Sequence, residues 1–196
     1  MGVRNCIKGF VLRCRINKLN KNKKADVKLA NTVRLDKNTK ITAYPGTSIS
    51  IGNGVYLRSN PDGYHTGMPF STVLIADKNG AKISIGELCR LNGVYVHAQK
   101  EITIGNNCVI ASGVNIIDSN GHVVLSSNRT VGRDEAKPII IGNNVWIGVN
   151  SIVLKGVSIG DNSVVSAGSV VCGGDYPKNS LIQGNPGKVV GTLKIE

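Results

Sequence analysis

Residues 139–171 read IIIGNNVWIGVNSIVLKGVSIGDNSVVSAGSVV, and an aliphatic side chain returns every six positions: Ile141, Ile147, Val153, Ile159, Val165 and Val171. An α-helix would repeat its apolar face about every 3.6 residues and a single strand about every 2. Six fits neither as one long element. It fits very short strands joined by turns, each offering the same position to one interior. Val145, Ser151, Val157, Ser163 and Ser169 stand four after successive anchors and two before the next, so each shares a strand face with the anchor that follows. Gly142, Gly148 and Gly160 follow their anchors directly, and Asn143, Asn144, Asp161 and Asn162 occupy places where a tight turn bends the backbone.

A longer period lies above the short one. An aliphatic residue followed by x-Ile-Gly ends at Gly52, Gly86, Gly105, Gly142 and Gly160, with spacings of 34, 19, 37 and 18 residues. Eighteen is three units of six, and nineteen is that plus one residue in a turn. The spacings of 34 and 37 imply either one coil plus a long excursion or two coils with slips. Each phrase reads as the same corner of a triangular solenoid, one turn further along, whose turns bury their apolar side by stacking.

Composition agrees with a narrow prism filled by aliphatic and small side chains: 24 of 196 residues are Gly and only 4% are aromatic. Cys6, Cys14, Cys89, Cys108 and Cys172 form no C-x-x-C pair, and their odd number argues against a disulfide framework and for a reducing cytoplasm. Cys89 and Cys108 lie four after Ile85 and Ile104, which predicts small inward side chains, a thiol nucleophile at Cys108 or Cys172 being the alternative. No secretory signal or bilayer-spanning stretch is expected.

The net charge of +12 is uneven: residues 1–40 hold twelve Lys or Arg against Asp26 and Asp36. Val3, Ile7, Phe10, Val11, Cys14 and Leu19 form a partial helical stripe among Arg4, Lys8, Arg13, Arg15 and Lys18. Residues 1–24 are therefore expected to be a basic amphipathic helical arm, with the solenoid domain over 25–196. Such an arm packs on the prism or a neighbouring subunit, or lies on an anionic membrane surface. Nucleic-acid binding is disfavoured by the lack of interleaved aromatics. The protein is expected in the cytoplasm, with peripheral attachment to the inner membrane face as the membrane alternative. The repeat is weak near Val33–Ile41 and clear by Ile49. It is broken by turn-rich stretches near 58–70 and at 118–138, and expelled loops of this kind tend to be functional.

Units of the form [LIV]-G-x-x-[STAV]-x, from about Val33 onward, resemble those of the hexapeptide-repeat acyltransferases, closest to sugar and polysaccharide O-acetyltransferases. The segment GNPGKV, 184–189, resembles the family ending GNPAKV, with Gly187 in place of alanine. The resemblance implies an all-β, left-handed parallel β-helix, a homotrimer and acetyl-CoA as co-substrate. Handedness comes from the resemblance alone, since crossovers in parallel sheets are usually right-handed.

Three histidines are present, His65, His97 and His122. In the family a histidine near the start of such an excursion is the general base, which assigns that role to His122 in the polar turn D-S-N-G-H. An attacking alcohol must lose a proton, and an imidazole, with an unperturbed pKa near 6.5, suits that task near neutral pH. A carboxylate or a backbone carbonyl on the other ring nitrogen would fix its tautomer, Asp118 being the nearest carboxylate in sequence. The oxyanion would be met by a backbone N–H near Gly148 or by the indole of Trp146, the only tryptophan, expected to point outward. By position in the family, Gly148, Lys155, Ser166, Ala167, Asn185 and Lys188 would hold coenzyme A. Arg129 and Arg133 either grip an acidic acceptor or face solvent. His97 reads as a packing residue. No metal is expected: the related γ-class carbonic anhydrases use a closely spaced histidine pair, and here the nearest two, His97 and His122, are 25 residues apart. The favoured function is acetyl transfer to a hydroxyl of a sugar or glycan. The alternatives are N-acetylation of an amino sugar, acetylation of a xenobiotic, or a catalytically silent trimeric scaffold at a membrane.

Overall fold

The computed structural model describes residues 25–195, so the expected helical arm lies outside the described residues. The chain winds as a left-handed parallel β-helix of triangular section. Coil 1 contains β1 (Ala25–Leu29), β2 (Arg34–Leu35) and β3 (Lys40–Ala43), and coil 2 β4 (Thr47–Ile51), β5 (Tyr56–Arg58) and β6 (Val73–Ala76). Coil 3 has β7 (Lys82–Ile85), β8 (Arg90–Asn92) and β9 (Tyr95–Ala98), and coil 4 β10 (Glu101–Ile104), β11 (Val109–Ile110) and β12 (Asn115–Ile117). Coil 5 has β13 (Ile139–Ile141), β14 (Trp146–Ile147) and β15 (Ile152–Leu154), and coil 6 β16 (Val157–Ile159), β17 (Val164–Val165) and β18 (Val170–Val171). A last partial coil has β19 (Gly174–Tyr176) and β20 (Ser180–Gly184), after which β21 (Gly187–Thr192) turns back antiparallel to β20. First strands stack into face A, second strands into face B and third strands into face C.

The six-residue rhythm is the mould of this prism. The anchors Ile141, Ile147, Val153, Ile159, Val165 and Val171 are all buried, as are Val145, Ser151, Val157, Ser163 and Ser169 four places on. All five Ile-Gly phrases fall on face A, so each spacing is one coil. The spacings of 34 and 37 are therefore a coil plus an excursion, 59–72 between β5 and β6 and 118–138 between β12 and β13. Cys89 and Cys108 are fully buried, their thiols donating to the Gly105 and Gly142 carbonyls of the adjacent coils. The prism begins one coil earlier than the clear repeat, since β1 pairs in parallel with β4 over five residues.

The A–B edge explains the paired asparagines. Asn107, Asn144, Asn162 and Asn179 all have positive φ there, which Asn adopts more readily than other non-glycine residues. The side chains before Asn107, Asn144 and Asn162 reach one coil back: Asn106 Oδ1 accepts the Glu87 N–H, Asn143 Oδ1 the Asn106 N–H, and Asp161 Oδ1 the Asn143 N–H. Leu88 is the exception, holding φ 58° while 61% exposed. A branched side chain in that backbone region costs on the order of 1 kcal/mol, with little burial to offset it. Leu88→Asn should accordingly raise the unfolding free energy by about 0.5–1 kcal/mol, read as a higher denaturant midpoint at unchanged slope.

Candidate active site

The 118–138 excursion leaves face C after β12 and returns to face A at β13, so it stands on the C–A edge. Its neck is closed by the Lys137 N–H donating to the Asp118 carbonyl at 2.9 Å. Asp118 is fully buried. Its carboxylate accepts the backbone N–H groups of Gln99, Lys100 and Glu101 at 2.7, 2.7 and 2.9 Å, so it faces the turn that leads from coil 3 into coil 4. Burial raises its pKa; the three amides oppose this without overcoming it. Asp118 is therefore an anchor of the excursion, and its expected pairing with His122 is corrected.

His122 Nδ1 lies 2.7 Å from the Arg129 carbonyl oxygen within the excursion. A carbonyl only accepts, so Nδ1 carries the hydrogen and, in the neutral ring, Nε2 keeps its lone pair. The imidazole is exposed. Arg129 also donates through Nη2 to the Val124 carbonyl at 3.3 Å, which ties that guanidinium to its own loop. Arg133 is exposed.

A second clamp was not legible in the sequence. The Lys155 ammonium, at the C–A edge of coil 5, hydrogen-bonds to the Asp134 carboxylate, and the carboxylate accepts the Asn120 N–H two residues before His122. Burial pushes the Asp134 pKa up, but Lys155 and the Asn120 amide outweigh it and hold it below the ordinary carboxylate range. Lys155 is thus committed to the excursion, a correction to its expected place beside a coenzyme. Only the charge pattern of the loop could have hinted at this, because the partners come from different coils.

The other expected residues gather elsewhere. Trp146 lies outward on face B and is 53% exposed. Gly148 follows at the B–C edge, where an added Cβ would fall 2.5 Å from the Ala167 nitrogen, so close stacking of coils 5 and 6 already requires glycine. Ser166 and Ala167 sit one coil on, and the turn holding Asn185, before Lys188, is linked to that edge by the Gly184 N–H on Ser169 Oγ at 3.2 Å. Face B lies opposite the C–A edge. One chain therefore carries two separated groups: His122 with Lys155, Asp134 and Arg129, and Trp146 with Gly148, Ser166, Ala167 and the β20–β21 turn. His97 belongs to neither; on face C its Nε2 is 2.9 Å from Asp77 Oδ2, a half-buried pair. Among the described residues no group of three or more His, Cys, Asp or Glu is placed to hold a metal.

Residues 138–172 match the sequence profile of the family described as "Hexapeptide repeat of succinyl-transferase". The chain is 45% identical to the galactoside O-acetyltransferase of Escherichia coli K12 over 112 residues, covering 57% of the chain and 54% of that protein. It spans about half the length of the curated relatives it matches. Among solved structures it resembles a galactoside acetyltransferase in complex with coenzyme A (26% identity, TM-score 0.56, 93% of this chain and 72% of that one). It also resembles the polySia-specific acetyltransferase NeuO (28% identity, TM-score 0.56, 86% and 81%).

Two outcomes test the clamps. Asp118→Asn places an amide where three N–H donors converge and should cost about 1–3 kcal/mol of stability. Lys155→Met should speed protease cleavage within 119–137 at pH 7 while moving the thermal midpoint of the prism little. In the wild-type protein the Asp134 clamp, with its depressed pKa, contributes fully above the unfolded carboxylate value. It is lost as pH falls through the lower folded value, so cleavage should stay slow down to about pH 4 and rise below it.

Proposed function

We propose that the protein is an O-acetyltransferase that moves an acetyl group from acetyl-CoA to a hydroxyl of a sugar or glycan, with His122 as general base. The carrying observation is the Nδ1 contact of His122 with the Arg129 carbonyl, which leaves Nε2 as the acceptor on an exposed ring. Nε2 takes the acceptor hydroxyl proton as the oxygen attacks the thioester carbonyl carbon. The new C–O bond forms, the C–S bond breaks, and the proton passes from the imidazolium to the departing thiolate. The Trp146 indole N–H, or a backbone N–H near Gly148, meets the negative charge that develops on the carbonyl oxygen. The relatives' names support acetyl transfer and a sugar acceptor.

The site is shared between copies in this reading. The two groups lie on opposite sides of one prism, so neither can serve the other within a chain. Each carries exposed apolar side chains: Val124, Leu125 and Val131 on the excursion, and Trp146, Val189 and Val190 on face B. Two unlike apolar surfaces make a heterologous contact, which closes into a ring when the rotation allows. The family resemblance implies that the ring is a trimer. Gly148, Ser166, Ala167, Asn185 and Lys188 then line the coenzyme groove of one copy while His122 reaches in from its neighbour.

His122→Ala should lower kcat by about 10²–10⁴-fold with coenzyme affinity and thermal midpoint nearly unchanged, since the side chain is exposed. Trp146→Ala should also be weakly active. Unfolding the two variants together and refolding them in equal amounts should restore about a quarter of wild-type activity, because in randomly mixed rings one interface in four pairs an intact His122 with an intact Trp146. No recovery in mixed oligomers would end the shared-site reading, and near-normal turnover by His122→Ala would end the histidine-base reading.

A further inference from the structure

The outer side of face B has two halves. One continuous ladder of outward positions runs Arg34, Tyr56, Arg90, Val109, Trp146, one residue per coil. Its first three coils are cationic and aromatic. Arg34 lies with its guanidinium carbon 4.4 Å from the centre of the Tyr56 ring, and Arg58 lies 5.2 Å from the same centre and 5.5 Å from that of Tyr64. Tyr64 belongs to the 59–72 excursion, which returns the chain to coil 2 beside these arginines.

No ion pair among the described residues neutralises this cluster. The nearby carboxylate, Asp36, accepts the Tyr56 hydroxyl at 2.9 Å and the Ser59 and Asn60 N–H groups at 2.9 and 3.0 Å. Among the described residues none of Arg34, Arg58 and Arg90 forms an ion pair, and Arg58 Nε is shielded from solvent without an acceptor. Residues 1–24 contain eight Lys or Arg and no Asp or Glu, so no side-chain carboxylate can come from them. Cation–π contacts hold the guanidinia in place but leave their charge and their N–H donors unspent. Three like charges on one face are a cost that an anionic ligand would remove.

The line along which they stand selects the ligand. Coils are about 4.8 Å apart, so the ladder from Arg34 to Trp146 covers on the order of 19 Å in a straight lane. A linear polymer with a carboxylate at intervals can follow such a lane, pair its carboxylates with the guanidinia and deliver a hydroxyl beside Trp146. We propose that the outer side of face B in coils 1–3 is an acceptor lane for a carboxylated polysaccharide, gripped by Arg34, Arg58 and Arg90 and leading to Trp146. The proposal rests on the acetyl-transfer reading and names the acceptor class for it.

The test uses the full chain with Arg34→Ala/Arg90→Ala, both positions being exposed, and Arg58→Gln as a separate variant. A second control, Lys21→Gln/Lys23→Gln/Lys24→Gln, lowers the charge of residues 1–24. Polysialic acid and a polyuronate are the carboxylated probes, and dextran the neutral one. Both carboxylated polymers should bind the wild type and dextran should not. Arg34→Ala/Arg90→Ala should weaken carboxylated binding at least tenfold and reduce its salt dependence, while the lysine variant changes it less. Thiol release from acetyl-CoA with a small neutral sugar should be unaffected by the arginine changes, and release with the carboxylated polymers should show a raised KM at similar kcat. The lane is overturned if polymer binding survives the arginine changes and disappears in the lysine variant. It is equally overturned if anionic vesicles or single-stranded DNA compete for the same arginines more tightly than the polymers, or if the arginine variants lose the oligomer, which would make the patch a subunit contact. Arginine-dependent polymer binding with no thiol release from any acceptor would leave the lane standing and remove the acetyl-transfer reading instead.

Discussion

Everything in this molecule depends on a side chain meeting its own counterpart one coil away. Ile102 stacks on Ile83 and Ile139, and Ile110 on Leu91 and Ile147, in a register that never slips along the paired strands. Successive coils are held about 4.8 Å apart by backbone hydrogen bonds, so each interior layer must present nearly the same volume at the same place. That requirement produces the six-residue rhythm, the small residues beside the anchors and the asparagines at the A–B edge. It also leaves the prism without freedom to form a cavity, and chemistry is pushed to the edges, where the chain can depart from the stack and return.

The same constraint decides what could be read from the sequence. Coils 2–6 were legible because each repeats the Ile-Gly phrase. Coil 1 was not: Val27, Val33, Ile41 and Ala43 are its buried apolar side chains, spaced unevenly and without that phrase. The excursions were visible as interruptions, but their internal bonds were not. Asp118 looked like part of a polar turn because Ser119 and Asn120 follow it, yet it occupies the last position of the coil, where its carboxylate meets three amides of the turn from coil 3 into coil 4. The acceptor on His122 is a backbone carbonyl, and no side-chain pattern records a carbonyl. Lys155 and Asp134 meet only because coil 5 passes beneath the loop.

Two classes of residue thus sit side by side on this scaffold. Residues such as Gly148, Asn144 and Val153 answer to stacking and have the same role wherever they recur. Residues such as His122, Asp134, Arg58 and Trp146 answer to nothing in the stack, since the prism would close without them. The closed neck between Asp118 and Lys137 separates the two, so changes inside the excursion are insulated from the interior.

A stack of parallel coils has no natural end, because its last coil offers open strand edges to whatever comes next. The antiparallel return of β21 along β20 supplies an end on face B: the strand direction reverses, and a further coil of the same sense cannot register there. The other two faces finish in β18 and β19, of two and three residues. The hairpin that carries Asn185 and Lys188 is in this sense a terminator. It caps face B at this end of a fold whose geometry otherwise favours endless addition.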